Sequence, residues 1–376
     1  QYDAFWYDLG ILDEAIWKLS RFQLPKIIQL APPVGKIVWA DHLYLSIAFL
    51  APFYWLSDKI EIMLVLQAVF VGASAFVGYL IAKKHIDNLW VRISLIVSYL
   101  GFVGLQNALY TDIHANVFAL LPLMLCIWSI YQKKWRYYWI FLIIFLGFQE
   151  NLSLIGIGLG LFLLLRKEKY LKIAVMTLLL GILWGLISTR FVIPYFNQGV
   201  YNYQPSLPGY WHEWLSRFFY PLDLKFKTIM IALITFGWMS VFSPAVWPLV
   251  IMHFLERFVL NVAGTRWDLG MHYNALLSPI MFLAGFEVIL NIQKNHFWRK
   301  YAKLWSLTTI FLVIFLHRFY LHGPLMLATH PVFYEQTKRA LFLEKFIQQI
   351  PKKGLLMTQN NLAIRFTHTG AILLNP

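Results

Sequence analysis

Long apolar runs separated by short polar breaks make up most of this chain. A helix that crosses a membrane needs about 20 consecutive, mostly apolar residues. Six runs approach this length and predict single crossings, at residues 60 to 82, 90 to 108, 116 to 131, 171 to 195, 272 to 291 and 304 to 320. The pattern therefore predicts an all-α polytopic membrane protein.

Two further apolar stretches are broken near their centres, which predicts pairs of short helices. The first lies between two basic loops and is interrupted by Gln149-Glu150-Asn151, so Glu150 would stand at the tip of a hairpin. The second covers residues 228 to 255 and is interrupted at Ser243-Pro244, where proline removes a backbone donor. With these hairpins, the predicted bundle covers residues 59 to 320 and has about nine to ten membrane helices.

Residues 1 to 58 are predicted to form an external loop that contains interfacial helices. Apolar residues recur at helical spacing over residues 9 to 19. The apolar run at 43 to 57 is too short to cross and contains Pro52, and a crossing there would turn every later loop against the charge rule. We therefore expect this run to lie in the interface.

Residues 321 to 376 alternate between helical and strand patterns, with an apolar strand at 371 to 374. This segment predicts a partial external α/β tail, too short for a complete domain. Because the sequence opens at Gln1 with no signal peptide, we expect a further piece upstream of it.

The composition agrees with a membrane protein and excludes a single soluble core. Of the 376 residues, 59% are hydrophobic and only 13% are charged. The net charge of +14 lies in short loops between apolar runs, where it sets orientation and meets anionic membrane lipid, so we expect no nucleic-acid partner. The single cysteine, Cys126, lies inside an apolar run and predicts a small core side chain.

Charge is sorted between the two ends of the predicted helices. Basic clusters mark one end: Lys83, Lys84, Lys133, Lys134, Arg136, Arg166, Lys167, Lys169, Arg299, Lys300 and Lys303. Acidic residues and histidines mark the other end: Asp8, Asp41, His42, Asp112, His114, Glu150 and His272. Since cytoplasmic loops are rich in Lys and Arg, this sorting predicts a functional site on the extracytoplasmic side of a prokaryotic plasma membrane.

Several of these acidic and histidine residues have a structural alternative. Glu150 is the strongest functional candidate, because a carboxylate at the tip of a membrane hairpin is costly unless it is paired, with His114, a metal or Arg190 as partner. Asp112 and His114 can both point into one cleft from a tight turn, or be a solvated aspartate and a backbone-bonded histidine. Asp41 can cap a helix, whereas His42 beside it cannot.

A divalent cation is a possible cofactor. Asp8, Asp112, His114 and Glu150 together would form an oxygen-rich site with one imidazole, suited to Mg²⁺ or Mn²⁺.

Phosphate recognition is predicted at arginines near the same end of the bundle. Arg190, Arg257 and Arg266 are the candidates, because a guanidinium binds phosphate through two hydrogen bonds. Arg190 can equally extend to lipid headgroups. His272 and Tyr273 begin an inward span and are expected to face the same cleft.

Six motifs carry a resemblance that covers nearly the whole chain: Tyr7-Asp8-Leu9-Gly10-Ile11, Asp41-His42, Thr111-Asp112-Ile113-His114, Gln149-Glu150-Asn151, His272-Tyr273-Asn274-Ala275 and Gln359-Asn360-Asn361-Leu362. In order and spacing they resemble a bacterial and archaeal family of predicted membrane proteins of unknown function. The chain departs from that family's pattern, which favours phenylalanine at position 111, proline at 115 and a Lys-Glu-Asp triplet at 149 to 151. The missing carboxylate at 151 weakens a two-carboxylate metal site there.

The long external opening loop also resembles the C-type glycosyltransferases, integral-membrane enzymes that use lipid-phosphate sugars. That resemblance implies a helical bundle of the same kind, a polyprenyl-phosphate sugar donor, an acceptor that the sequence does not identify, and Asp8 as the general base. Asp8 also precedes a helical pattern, so helix capping is the alternative.

Three functions are consistent with the sequence. The first is a glycosyltransferase that transfers a hexose or pentose at the outer face. The second is a transporter or flippase, which predicts polar residues through the full membrane thickness and internal repeats, and neither is visible. The third is a non-catalytic relative that retains the fold.

Overall fold

The structure is a computed structural model that describes residues 6–166, 170–260, 266–335, 337–351, 354, 356–369 and 371–373. The helices are α1 Trp6–Ser20, α2 Glu61–His85, α3 Leu89–Leu100, α4 Val103–Tyr110, α5 Ala115–Phe118, α6 Leu120–Tyr131, α7 Trp135–Leu146, α8 Leu152–Leu165, α9 Leu171–Ile187, α10 Ile193–Phe196, α11 Trp211–Phe219, α12 Leu222–Thr235, α13 Trp247–Phe254, α14 Leu277–Ile292, α15 His296–Phe315, α16 Pro331–Tyr334, α17 Lys338–Gln349 and α18 Asn360–Ala363.

Short irregular helices complete the helical part. Those of 3-10 type are Ile28–Leu30, Val38–Ala40, Ser46–Trp55, Met239–Phe242, His272–Asn274, Pro324–Thr329 and Ile364–Thr369. Those of π type are Ser188–Val192, Leu255–Leu260 and Leu316–Tyr320. Strands β1 Lys26–Ile27 and β2 Lys36–Ile37 pair antiparallel, and β3 Met357–Thr358 and β4 Ile372–Leu373 pair parallel.

Among the described residues, four helical segments are long and apolar enough to cross a membrane, at Glu61–His85, Leu171–Phe196, His272–Ile292 and His296–Tyr320. α3 and α4 together form a fifth candidate with a bend of 45°. Shorter apolar helices lie at Ser46–Trp55, Ala115–Tyr131, Trp135–Leu146 and Leu152–Leu165. The predicted all-α polytopic membrane protein is confirmed, whereas the total of nine to ten membrane helices stays a prediction.

The predicted crossing at 90 to 108 bends by 45° between α3 and α4, at a point where α15 approaches closely. The backbone of Phe102 is extended between α3 and α4. At Gly101 an added Cβ would lie 2.4 Å from a side-chain carbon of Val313 in α15, so only glycine fits at this crossing. The break turns α4 toward the end of the bundle that carries Asp112 and His114.

The crossing predicted at 304 to 320 begins earlier in the structure. Asn295 caps α15 by accepting hydrogen bonds from the backbone N–H groups of Phe297 and Trp298. Arg299, Lys300 and Lys303 therefore lie inside the helix instead of in a loop. Their long side chains can still reach the membrane surface from the first turns.

The hairpin predicted around Glu150 is present as α7 and α8, and α8 packs closely on α9. An added Cβ at Gly181 would lie 2.9 Å from the backbone nitrogen of Ile157, and one at Gly185 would lie 2.9 Å from Oγ of Ser153. Small residues four apart let membrane helices approach in this way. The close pair forms one wall of the cavity described below.

The opening loop and the tail, predicted as separate regions, pack on each other. Asp13 of α1 is fully buried and accepts hydrogen bonds from the hydroxyls of Tyr54 and Thr367. Nε2 of His368 lies 3.0 Å from Oδ2 of Asp13, and the imidazole stacks on Trp17 at 4.5 Å between ring centroids. These contacts hold α1, and thus Asp8, against the tail.

Candidate functional site

A cavity of about 600 Å³ lies where the opening loop meets one end of the helical bundle. Among the described residues, its charged and histidine lining is Asp8, Asp41, His42, His114, Glu150, Glu256, Arg257, Arg266 and His272. The histidines and acids come from segments that are far apart in the sequence, as the charge sorting had suggested. The fold therefore gathers most of the predicted residues into a single space.

Asp8, His114 and His272 form a compact group in this cavity. Oδ2 of Asp8 lies 3.9 Å from Nδ1 of His114, and the rings of His114 and His272 stack with centroids 3.7 Å apart. One potential metal-ligating atom from each residue lies within 4.8 Å of the other two. α1 begins at Trp6, so Asp8 stands inside the first turn and not at the capping position.

The surroundings of Asp8 and His114 shift the pKa of each side chain. Partial burial at the cavity wall raises the pKa of Asp8; His42 opposes that shift and Asp41 adds to it. A carboxylate with a raised pKa is a better proton acceptor. Burial lowers the pKa of His114 to about 3, so its imidazole is neutral near pH 7.

A glutamine from the first span holds the segment that carries His114. Asp112 adopts φ of 142°, a conformation that side chains other than glycine rarely take. Nε2 of the buried Gln67 donates a hydrogen bond of 2.8 Å to the carbonyl oxygen of Asp112. The unusual turn is thereby fixed, and it aims the His114 side chain into the cavity.

Glu150 is buried and has a different partner from those predicted. Its carboxylate lies 2.7 Å from Nδ1 of His42 and accepts hydrogen bonds from the backbone N–H of Leu43 at 3.1 Å and the hydroxyl of Tyr201 at 3.1 Å. Burial alone would raise the pKa of Glu150, but the charge and hydrogen bond of His42, together with backbone hydrogen bonds, lower that pKa. Burial works against the charged His42 too, yet Glu150 raises the pKa of His42. The two residues form a buried ion pair.

His42 and Asp41 are further fixed by Tyr203. The Tyr203 hydroxyl donates a hydrogen bond of 2.8 Å to Oδ1 of Asp41, and its ring stacks on His42 at 4.2 Å. The side chain of Asp41 is therefore engaged by an aromatic residue from a distant loop and does not cap the helix that it was predicted to start.

Two arginines flank Tyr273 at the other side of the cavity. The guanidinium of Arg257 lies 5.0 Å from the ring centroid of Tyr273, and that of Arg266 lies 5.4 Å from it. Arg257 is 1% exposed and forms an ion pair of 3.0 Å with Glu256. Its Nε and Nη2 atoms have no hydrogen-bond partner in the described part of the chain. Buried donors without partners are costly, which suits an anionic ligand at this point.

Asn274 holds the chain between Arg266 and His272. Its side-chain nitrogen donates to the carbonyl oxygens of Trp267 and Asp268 at 3.1 and 2.8 Å. Its oxygen lies 3.0 Å from Nε2 of the buried His253. This network fixes both ends of the segment at the cavity wall.

The remaining wall of the cavity is apolar. It is formed by Leu154 and Ile157 of α8 and by Gly181, Ile182 and Leu186 of α9. The cavity is therefore two-sided, with charged groups opposite an apolar surface that belongs to a candidate membrane span.

A family model described as "Predicted membrane protein (DUF2079)" matches residues 5–375. The chain belongs to this family. The resemblance to a membrane protein family of unknown function is thus confirmed over nearly the whole chain, while the likeness to C-type glycosyltransferases stays a prediction. A search of curated proteins found no match.

Two predicted residues of this DUF2079 member lie apart from the others. Asp112 and Arg190 are not among the described residues that line the cavity. Asp112 contributes its backbone carbonyl to Gln67, and Arg190 is exposed near the end of the span that contains α9. The predicted set of Asp8, Asp112, His114 and Glu150 is therefore not the group that converges; His272 joins Asp8 and His114, and Glu150 pairs with His42.

Some residues of the site were not identified from the sequence. Gln67 lies within an apolar run and Glu256 directly follows one, and such polar residues beside apolar runs are the signal that could have identified them. Tyr201 and Tyr203 lie in a loop rich in Trp and Tyr, a composition typical of an aromatic belt at the membrane interface. Their contacts with Glu150 and Asp41 depend on how the loop folds back, which local sequence does not show.

Proposed function

We propose that this protein is a membrane glycosyltransferase that moves a sugar from a polyprenyl-phosphate donor to an acceptor at the outer face of a prokaryotic plasma membrane, with Asp8 as general base. The observation that carries the proposal is that Arg257 and an apolar wall lie in the same cavity. Arg257 offers two buried donors without partners, and it shares a cavity with the apolar faces of α8 and α9. A lipid phosphate has both complementary parts.

The lipid part of such a donor has an apolar path out of the cavity. Only 22% of the apolar stretch of the span Leu171–Phe196 is buried, so most of that helix faces away from the rest of the protein. Ile182 and Leu186 of the same span line the cavity. A polyprenyl chain that follows this wall passes from the phosphate site into the hydrocarbon of the membrane.

The chemistry requires a base, a stabilised leaving group and a shielded site. Asp8 accepts the proton of the acceptor hydroxyl while the hydroxyl oxygen forms a bond to the anomeric carbon. The bond between that carbon and the phosphate oxygen breaks, and the electron pair leaves with the polyprenyl phosphate. Arg257 and Arg266 stabilise the phosphate charge. A single displacement inverts the anomeric configuration.

The sorting of charges supports a site at the outer face. Lys83 and Lys84 lie in the last turn of α2, whereas Glu61 begins that helix next to the tail and the opening loop. With basic residues toward the cytoplasm, the end of α2 nearest the cavity is the extracytoplasmic one.

The decisive experiment incubates the purified protein in nanodiscs with a panel of polyprenyl-phosphate hexoses and pentoses and a membrane lipid extract as acceptor source. We expect release of polyprenyl phosphate from one donor, with inversion. Asp8→Asn should abolish release and leave the unfolding temperature unchanged. Asp87→Asn, at an exposed loop position, is the matched control.

Full activity of Asp8→Asn would remove Asp8 from its role as base. If no donor of the panel is consumed, and the protein instead moves lipid-linked sugars between the leaflets of vesicles, the transferase proposal is replaced by transport.

A further inference from the structure

The group formed by Asp8, His114 and His272 joins three distant parts of the chain. Asp8 lies in α1, His114 precedes α5, and His272 begins the short helix ahead of α14. His114 and His272 present their rings in a near-parallel stack, with an angle of 15° between planes. Carboxylate and imidazole groups that converge from separate elements are typical of metal-ion sites.

The spacing within the group is too long for hydrogen bonds and suits a shared ion. Oδ2 of Asp8 and Nδ1 of His114 are 3.9 Å apart, beyond the range of a direct hydrogen bond. Two ligands that each lie about 2.1 Å from one ion are at most about 4.2 Å apart. All three ligand atoms lie within 4.8 Å of one another. The in-plane lone pairs of stacked imidazoles run parallel, so one ion is reached when the partly exposed His272 ring rotates out of the stack and Asp8, whose side chain is 47% exposed, rotates toward it.

The histidines are held by neighbours that leave the ligand atoms available. The backbone N–H of His114 donates to Oε1 of Gln67 at 2.8 Å, and its Nε2 lies 3.5 Å from Oγ1 of Thr111, so Nδ1 is the atom that faces Asp8. The carbonyl oxygen of His272 accepts a hydrogen bond of 3.3 Å from Asn116. Outer contacts of this kind orient the ligands of metal sites.

We propose that Asp8, His114 and His272 bind one divalent transition-metal ion, of the Zn²⁺ or Mn²⁺ type, with its open coordination positions toward the cavity. Two imidazoles and one carboxylate favour such an ion over Mg²⁺, which prefers oxygen ligands. The ligand set differs from the oxygen-rich set that the sequence predicted, because His272 takes part and Asp112 and Glu150 lie elsewhere.

This site stands on geometry and is independent of the proposed transfer reaction. If the metal site and the transfer reaction both exist, Oδ2 of Asp8 binds the ion, and Oδ1 of Asp8 remains to accept the proton of the acceptor hydroxyl. The ion then lies in the same cavity as Arg257 and adds positive charge beside the leaving phosphate.

Metal content tests the proposal without any assay of activity. The full chain, purified in nanodiscs and stripped with EDTA, is titrated with Zn²⁺, Mn²⁺ and Mg²⁺ by calorimetry, and the bound metal is counted by mass spectrometry. We expect one Zn²⁺ or Mn²⁺ per chain and weaker Mg²⁺ binding. Asp8→Asn and His272→Gln should each weaken binding by about tenfold or more. His212→Gln, at an exposed histidine outside the cavity, should bind like the wild type.

A second measurement needs no variant and so does not depend on how variants fold. Pulsed electron paramagnetic resonance of Mn²⁺ bound to the wild type should show nitrogen couplings from imidazole ligands. Absence of stoichiometric Zn²⁺ or Mn²⁺, absence of those couplings, or unchanged affinity in His272→Gln would overturn the site. Bound metal without sugar transfer would remove the proposed function and leave the site. Sugar transfer by a protein that binds no stoichiometric Zn²⁺ or Mn²⁺ would leave the proposed function and remove the site.

Discussion

The side-chain oxygen of Gln67, in the second turn of α2, accepts a hydrogen bond of 2.8 Å from the backbone N–H of His114. The side-chain nitrogen of Gln67 donates a hydrogen bond to the carbonyl oxygen of Asp112, so one side chain binds the backbone on both sides of Ile113. Since Asp112 holds a backbone conformation that is unfavourable for a residue with a side chain, the turn needs such support. The position of His114 in the cavity thus depends on a residue 47 positions earlier.

Replacement of Gln67 by leucine should destabilise the protein. Leucine keeps the approximate volume but removes the acceptor for the buried N–H of His114 and the donor to the carbonyl of Asp112, at a cost of about 1 to 3 kcal/mol. Thermal unfolding in nanodiscs measures the effect, with Gln349→Leu at an exposed position of α17 as control. Equal unfolding temperatures for the two variants would contradict the role of Gln67.

The buried pair of Glu150 and His42 makes a second prediction. Glu150→Ala removes the acceptor for His42, Leu43 and Tyr201 together, and breaking a buried ion pair costs about 3 kcal/mol or more. Glu150→Gln should cost less, since an amide oxygen still accepts hydrogen bonds. Chemical unfolding compares both variants with Asp87→Asn, which lies on the surface. A loss that is no larger for Glu150→Ala than for the surface control would show that the pair is not stabilising.

The same pair predicts how stability depends on pH. The pKa of His42 is raised above its ordinary 6.5, so the stabilisation is complete below pH 6.5 and is lost as the pH rises through the raised value. The pKa of Glu150 is lowered below its ordinary 4.5, so the stabilisation is present above pH 4.5 and is lost as the pH falls through the lowered value.

The difference in unfolding free energy between wild type and Glu150→Gln should therefore be largest between pH 4.5 and pH 6.5 and should shrink on both sides. Unfolding curves of the two proteins over a pH series provide the measurement. A difference that stays constant from the acid to the alkaline limb would mean that the pair does not ionise as described.

Arg257 and Arg190 were both candidates for phosphate binding on sequence grounds, and we expect only Arg257 to bind phosphate. Arg257→Lys keeps the charge but loses the planar donor pattern, so we expect polyprenyl phosphate to bind about tenfold more weakly. Arg190→Lys, at an exposed position outside the cavity lining, should bind like the wild type. Binding of a labelled polyprenyl phosphate in nanodiscs distinguishes the two. A larger loss of polyprenyl-phosphate binding in Arg190→Lys would instead place the phosphate site at the end of the span Leu171–Phe196.

Much of the architecture followed from local pattern. The span at Glu61–His85 and the break around Glu150 were predicted within a few residues, because apolar length and polar interruption are properties of consecutive positions. The bend at Gly101 was not predicted, because the close approach of Val313 at this point comes from a helix more than two hundred positions later and leaves no signal in the local sequence. The early start of α15 was missed because basic side chains were assigned to a loop although Asn295 could cap a helix.

The sequence by itself determined that this is a polytopic membrane protein with its acids and histidines at one end of the helices, because hydropathy and charge act position by position along the chain. Only the tertiary structure decided which of them meet. It placed His272 with Asp8 and His114, gave Glu150 to His42, and left Asp112 and Arg190 outside the cavity lining of the described residues. The physical reason is that such contacts depend on helix packing and loop return over more than a hundred residues, and no local pattern encodes those distances.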